Sequence, residues 1–523
     1  MSQPEEKRLS TETAADIKVV AKGGAVQLAG QVTQRLLSFG FGAIFTRILG
    51  PGAYGLYRQV SQILANSSQV GLAGFNYGAM RFITSARARG DHAAVKGSLR
   101  VSLLASGMAS IIVFAALLVF ADTIAAAFAD TTEQRGDFAR LIRLGAAYVP
   151  LFALLQVLRY ATQAYKTMVP SVTAGNIVQP IARFMLGVTV LVLGFDVAGA
   201  VVSLTVSVGL AVLVIAWYLR RMLTEEERAA KPAARVGPLV RFALPQAGAS
   251  LLGIQTLGLG ILLLGALSTD EAAGYFAIAL SLQGPGNVFL GGIVNIWAPV
   301  VSDLHEKREI ARLDSLYKTI NRWIATFSFP VFAALILEPD VFVLFYGEDA
   351  AGAIPVVALL AIGNIFYTGT GPTGYVISMT GHPGVNFANS AVAVALYIGL
   401  GYLVVPRYGV VGMAVVDLGV TAAINLVRVI EAKLLVGVQP FGRNFIKPVV
   451  ATAVAAGVLL ASRVVTGDRT LLEVAAIAVA AVVYVVTLKV LGLDEEERLV
   501  WKRIRKRAFK RGGGQKSDEG SGG

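Results

Sequence analysis

Arg35, Arg58, Arg159 and Arg183 stand inside long runs of apolar residues, where a guanidinium needs a partner. Placing one such cation at the centre of a hydrocarbon layer costs roughly 2.5–3.5 kcal/mol, so it marks a counter-ion, a hydrated cavity or a charged path. Arg35 falls near the middle of the run 21–48 and Arg183 near the middle of 171–194. Arg159 and Arg58 lie closer to the ends of theirs. A planar guanidinium holds two oxygens of one anion at once, so the chemistry these residues suggest is oxyanion binding. The simpler alternatives are snorkelling to an interface for Arg58 and Arg159, and pairing with helix-end carbonyls for Arg183.

Amides surround these cations. Gln27, Gln31, Gln34 and Ser38 follow one another at spacings of four, three and four, which puts them on one helix face. A second stripe comprises Gln59, Gln62, Asn66, Gln69 and Asn76. Lipid cannot hydrogen-bond an amide, so both stripes must face protein or water. A single Gln or Asn fastens neighbouring helices. Two adjacent helices, each polar along several turns, instead suggest the lining of a hydrated central cavity. The second half of the chain has a sparser set: Gln246, Ser250, Gln283, Asn287, Asn295, Asn364 and Thr368. No acidic residue occupies the middle of a first-half run, so an anionic ligand is the natural counter-charge. Asp417 is the acid well inside a second-half run; it could hold a coupling cation, but pairing with Arg428 is the simpler expectation.

The elements that must position these groups follow from composition. Of 523 residues, 55% are hydrophobic and 15% are charged, and the mean hydropathy is +0.65. Soluble domains carry roughly a quarter charged residues, so this is a polytopic membrane protein. The net charge of +13 reflects Lys and Arg retained on the cytoplasmic side rather than a nucleic-acid partner. Cysteine is absent, and His92, His305 and His382 lack metal-ligand spacing. There is no phosphate-binding Gly-rich loop, no loop long enough for a catalytic domain and no visible cleavable signal peptide. The expectation is therefore no cofactor, no metal and no enzymatic activity.

About fourteen apolar segments of spanning length can be drawn, which predicts an all-α membrane protein. Loops carrying Arg81, Arg87, Arg89, Lys96 and Arg100, then Arg220, Arg221, Arg228, Lys231, Arg235 and Arg241, then Lys307, Arg308, Arg312, Lys318 and Arg322 alternate with loops richer in acids. The latter hold Asp122, Asp130, Glu133 and Asp137, Asp270 and Glu271, and Glu348 and Asp349. The positive-inside rule then places both termini in the cytoplasm, with Arg140, Arg143 and Arg407 against the trend. Thr167, Pro170, Asn176 and Gly199 recur as Thr380, Pro383, Asn389 and Gly412, each displaced by 213 residues. The turn Gly50–Tyr57 has a looser echo in Thr269–Phe276. This is a parallel repeat. It divides the chain into a cytoplasmic tail (1–20), two pseudo-symmetric six-helix lobes (21–241 and 242–440), two additional helices (441–491) and a basic tail (492–523). The tail's Lys and Arg, interleaved with Trp501, Ile504 and Phe509, suit an anionic inner leaflet.

The segment Arg47-Ile48-Leu49-Gly50-Pro51-Gly52-Ala53-Tyr54-Gly55-Leu56-Tyr57 resembles the "R-x-L-G-P-x-x-Y-G-x-Y/F" signature of the polysaccharide-type lipid-linked oligosaccharide flippases. These belong to the multidrug/oligosaccharidyl-lipid/polysaccharide exporter superfamily. Pro170 and Asn176, leading into the fifth span, and Gly194 and Gly199, leading into the sixth, fit the same pattern. The resemblance implies two lobes that open alternately to either side of the cell membrane. It also implies transfer of a polyprenyl-diphosphate-linked glycan from the inner to the outer leaflet, with cavity arginines on the diphosphate. Membrane lipids, and a polysaccharide polymerase or glycosyltransferases, are the implied partners. The alternative within the same fold is a cation-coupled multidrug or organic-cation antiporter, which would favour a cavity carboxylate such as Asp417.

Overall fold

A computed structural model of the chain describes residues 3–129, 131–233, 236–251, 258–466 and 470–492. Among them the regular structure is helical, with no strand. Contacts divide the chain into two units, Met1–Phe441 and Gly442–Gly523.

The first half of the larger unit comprises α1 (Gln3–Leu72), α2 (Phe75–Ala88), α3 (His92–Ala125), α4 (Thr132–Gly145), α5 (Tyr148–Gln163), α6 (Val169–Val172), α7 (Gln179–Val192) and α8 (Val197–Met222). A short linker helix, α9 (Glu225–Ala229), leads to the second half. That half contains α10 (Val236–Leu251), α11 (Leu259–Leu267), α12 (Asp270–Leu282), α13 (Gly284–Glu306), α14 (Ile310–Leu337), α15 (Pro339–Val343), α16 (Ile354–Thr370), α17 (Thr373–Met379) and α18 (Pro383–Leu435). In the smaller unit α19 (Ile446–Thr466) packs on α20 (Thr470–Val490). The basic tail beyond 492, and Asp130, Arg235, Ser250 and Asn295, lie outside the residues whose side chains are described.

Ten helices among the described residues are long and apolar enough to cross a membrane, or eleven when the bent pair α12–α13 counts as one span. Fourteen were expected. Part of the difference is that Val26–Leu72 (47 residues) and Pro383–Leu435 (53 residues) each join two expected spans. At 1.5 Å per residue they run ~70–80 Å, more than twice a hydrocarbon core. Each contains one glycine outside helical geometry, Gly50 at φ 82° and Gly409 at φ 54°, where a side chain would be strained. The expected span 242–267 also falls partly outside the described residues. Large apolar side chains such as Val119, Leu213 and Leu434 are 67–77% exposed, a surface that suits hydrocarbon rather than water.

Local chemistry explains where helices begin. Asp91 accepts from Ala94 N at 2.8 Å, Asp196 from Ala198 N at 2.9 Å, and Thr131 and Gln134 form a capping box; each satisfies an orphan N–H of a first turn. Pro170 and Pro383 occupy the first turns of α6 and α18, where a missing N–H costs nothing. The repeat also has a packing meaning. A Cβ on Gly199 would meet Phe195 Cβ at 2.9 Å, and one on Gly412 would meet Tyr408 Cβ at 2.7 Å. Both glycines thus relieve the same i−4 crowding.

The two halves touch most intimately where α1 crosses α12. A Cβ on Gly55 would lie 1.8 Å from the carbonyl oxygen of Asp270, and one on Gly274 would lie 2.0 Å from that of Pro51. Each glycine thus faces the residue four positions earlier than its counterpart, as a two-fold relation requires. Backbone-to-backbone approach of this kind is what small residues permit between membrane helices. Substituting Gly55→Ala should therefore force the crossing apart and lower stability by roughly 1–3 kcal/mol. Gly52→Ala, whose Cβ would meet its nearest atom at 4.0 Å, should leave the melting temperature of the purified protein almost unchanged. Equal melting of the two variants would refute this account of the crossing.

Candidate functional site

Arg35 lies at the contact between the halves. Its Nη1 donates to the carbonyl oxygen of Gly284 at 2.5 Å. Gly284 begins α13 at the break after α12, where the axis bends by 55°. The guanidinium thus ties the first half to the first residue after the break. Across the interface, Tyr367 is within electrostatic range of both Arg35 and Arg428. Two cations, one from each half, thus flank one phenol.

Arg183 sits within the first half, its guanidinium 5.1 Å from the Phe41 ring centroid and 5.5 Å from that of Tyr57. The rings' negative faces attract it. Its Nε is buried without a hydrogen-bond partner, and Arg183 lines a small cavity with Gln34, Ser38 and Gln179. Arg159 differs. Its nitrogens donate to Ser171 Oγ at 3.3 Å, Gln156 Oε1 at 3.2 Å and Asn176 Oδ1 at 2.9 Å. Asn176 in turn donates to Gln34 Oε1 at 2.6 Å. Gly175 makes room, since a Cβ there would fall 2.5 Å from Arg159 Cζ. Arg159 is therefore the centre of a neutral network joining α5, the turn before α7 and α1. Arg58 is half-buried beside Tyr346, within electrostatic range, and its Nε has no partner. Among the described residues, none of these four arginines forms an ion pair with a carboxylate.

The amides divide. Gln27, Gln31, Gln34, Gln62, Asn66 and Gln69 are half-buried, and Gln62 donates to Asn66 Oδ1 at 2.9 Å. Gln59 was expected on the cavity wall but is completely buried. It donates to Asp270 Oδ1 at 2.7 Å and ties the halves together one turn beyond the Gly55 crossing. In the second half Asn287 donates to Asn364 at 2.8 Å, and Gln283 to the Val357 carbonyl at 3.2 Å.

Two sequence expectations need correction there. Asp417 accepts from the Tyr397 hydroxyl at 2.8 Å and does not pair with Arg428, which donates to Ser390 Oγ at 3.2 Å. Eleven residues of helix separate the two by about 16 Å along the axis, too far for contact. Arg322, expected in a loop, is buried within α14. Arg428, named along the chain only as a partner for Asp417, is a second-half cation within electrostatic range of Tyr367. Glu431 is a half-buried acid on the same helix that accepts from Asn389 at 2.5 Å.

Two positions outside the predicted set fix how elements meet: Arg47 joins the two halves, and Glu227 joins the linker helix to the first half. Arg47, legible only as part of a motif, donates from Nε to Phe345 O and from Nη2 to Leu344 O, both at 2.8 Å. At the opposite end Glu227, in the linker helix, is 2% exposed. It accepts from Arg87 Nε at 3.1 Å and from the Tyr165 hydroxyl at 2.8 Å, while the Arg87 guanidinium lies 3.7 Å from the Tyr165 ring centroid. Burial, then the Glu227 carboxylate, raises the Tyr165 hydroxyl above the usual phenol range. It stays a proton donor.

A family model described as "Polysaccharide biosynthesis protein" matches residues 20–305, more than half of the 523-residue chain. The chain belongs to this family. The polysaccharide biosynthesis family member folds like lipid II flippase MurJ in an inward closed conformation, with a TM-score of 0.70 and 12% identity over 89% of this chain and 98% of that one. It also folds like an inward-facing multidrug resistance MATE family transporter of the MOP superfamily, with a TM-score of 0.67 and 15% identity over 79% of this chain and 98% of that one. Stage V sporulation protein B of Bacillus subtilis (strain 168) is 26% identical over 165 residues, covering 32% of this chain and 31% of that protein. The family match, this fold and the ten long apolar helices make this a multi-pass membrane protein of the polysaccharide biosynthesis family.

Arg47 gives the site its testable closure. In Arg47→Gln the two carbonyls lose a bidentate cation, about 1.5–3 kcal/mol per charge-assisted hydrogen bond before water substitutes. Spin labels at Ile48 and Glu348 should then report a broader and longer distance distribution than in the unsubstituted background. An unchanged distribution would show that Arg47 does not hold the halves together.

Proposed function

We propose that this protein moves a polyprenyl-diphosphate-linked oligosaccharide, or a related cell-envelope glycolipid, from the inner to the outer leaflet of the cell membrane by alternating access. The observation that carries this reading is the group of arginines within membrane-length helices that, among the described residues, have no carboxylate partner. Arg35 is held only by a backbone carbonyl and Arg183 by aromatic faces, so both keep guanidinium donors free of any neutralising acid. A diphosphate supplies that charge and matches the fork geometry. Arg35 and Arg428 would contact the diphosphate from the two halves, so that rocking of one half against the other carries it across. Arg183 and Arg58 would stabilise it within the first half, and Arg159 would hold Gln34 and Asn176 in place for the sugars. The lipid tail would remain in hydrocarbon beside the cavity.

With both termini cytoplasmic, the Gly55–Gly274 crossing and the Arg47 contact would close the outer side, leaving the cytoplasmic side to receive substrate. The lipid II flippase named above is a glycolipid carrier with the same fold, which supports the substrate class. A polymerase or glycosyltransferases acting before and after translocation are the natural partners. The antiporter alternative rests on Asp417, whose bond to Tyr397 engages it within the second half.

Removing Arg35 or Arg183 should stop translocation while leaving the folded protein in the membrane. The expected loss is about ten- to hundredfold for one charge-assisted contact. In vesicles reconstituted with a polyprenyl-diphosphate glycan, exposure of the sugar to a non-permeant glycosidase would follow the rate. Arg35→Lys and Arg183→Lys should retain part of it, since charge remains but the fork is lost. Normal rates in an Arg35→Ala, Arg183→Ala double variant would sink the cavity-cation model.

A further inference from the structure

A second cavity is lined by none of the arginines just described, although Gln163 on its wall shares the Ser171 hydroxyl with Arg159. It has a volume of about 560 Å³ and is lined by residues of α2, the turn after α5, and α10, a size within the roughly 300–1,000 Å³ of small-ligand clefts. Two aromatic rings form part of its wall: Tyr77, which meets Tyr160 edge to face with centroids 5.1 Å apart, and Phe242. Its charge is one-sided. Arg81 and Lys166 both line it, Gln163 and Thr84 add polar atoms, and none of the lining residues is acidic. The Arg81 guanidinium is held over the Phe242 ring at 4.3 Å from the centroid, which orders a long side chain that would otherwise be free.

Lys166 supplies an independent sign of function. It is one of three non-glycine residues with positive φ among the described residues, at φ 57°. Lysine gains nothing in that conformation, and backbone strain of this kind concentrates at ligand sites. Here it sets the backbone of an exposed lysine beside a cavity that Arg81 also lines.

We propose that this cavity binds a pyranose ring bearing a negative charge, a carboxylate or phosphate on a sugar of the transported glycan, and thereby selects acidic glycans. The chemistry matches on each side. A pyranose presents an apolar C–H face to aromatic rings, its hydroxyl edge needs a few polar groups, and its acid group pairs with Arg81 and Lys166. This inference rests on the transport reading above. It adds a specificity site that is separate from the diphosphate site, because no residue is shared between the two sets. The cavity adjoins the Arg87–Glu227 contact through α2 and the Tyr165 turn, so it lies at the end of the molecule opposite the Gly55 crossing.

The test uses the full chain in phosphatidylcholine vesicles with two polyprenyl-diphosphate disaccharides, one ending in glucuronic acid and one in glucose. The wild type should move the acidic glycan faster. In Arg81→Gln the acidic-to-neutral rate ratio should fall about tenfold, the loss of one charge-assisted hydrogen bond. Lys166→Asn should lower the same ratio, and it should fold readily because asparagine tolerates positive φ. A ratio that stays at the wild-type value in both variants, or a wild type that does not favour the acidic glycan, overturns the proposal. Calorimetry on the detergent-solubilised protein with the free glucuronosyl disaccharide separates this from the transport reading. If neither glycan moves but the disaccharide binds through Arg81, the cavity stands and the transport reading falls. If both glycans move and the disaccharide does not bind, the reverse holds. If phosphatidylglycerol binds through Arg81 and the disaccharide does not, the cavity is a lipid site and the inference is wrong.

Discussion

The contact on which this architecture depends is the backbone crossing of Gly55 and Gly274. In hydrocarbon, apolar side chains gain little by leaving lipid for one another, so helices associate through close packing and hydrogen bonds. A glycine on each helix lets two backbones approach within a distance that any Cβ would forbid. The surrounding polar ties follow from that approach. Gln59 reaches Asp270 one turn away, and Arg47 reaches the carbonyls of Leu344 and Phe345. The same crossing sets the register that brings Arg35 to the break at Gly284. The halves meet by a pseudo-two-fold relation, so one small-residue contact positions polar groups from both.

Symmetry of backbone does not extend to charge. Asn176 and Asn389 occupy equivalent positions, yet Asn176 accepts from Arg159 whereas Asn389 donates to Glu431. The equivalent amide therefore serves a cation in one half and an anion in the other. An amide can do either because it carries both donor and acceptor. The repeat thus preserves packing while the charged partner of the equivalent amide changes sign. Among the described residues, Arg35, Arg58, Arg159 and Arg183 in the first half have no carboxylate partner. The second carries Asp417 and Glu431, each already engaged by a neutral hydrogen-bond donor.

Much of the fold was legible along the chain. Apolar runs, Pro at helix starts and the displacement of Pro, Asn and Gly between halves appeared as helices, first turns and matched i−4 packing. These features depend on local chemistry, and local chemistry is written in adjacent residues. The site was legible in residue type more than in partner. The polar stripe in α1 correctly set Gln34 among polar neighbours, but its periodicity could not distinguish the lining of a cavity from a buried tie. Gln59 has the same spacing as its neighbours and is completely buried, because the Gly55 crossing seals that turn.

The sequence by itself determined that this is a helical membrane protein with unpaired intramembrane arginines, since apolar length and charge content suffice for both. The tertiary structure decided which of those arginines is satisfied. Arg159 is enclosed by Ser171, Gln156 and Asn176, Arg183 by two rings, and Arg35 by a single carbonyl 249 residues away. It also brought Arg428 toward Tyr367 and Asp417 to the Tyr397 hydroxyl. The reason is geometric: helical spacing fixes which residues share a face, while the partner across that face comes from a distant segment whose register is set by packing.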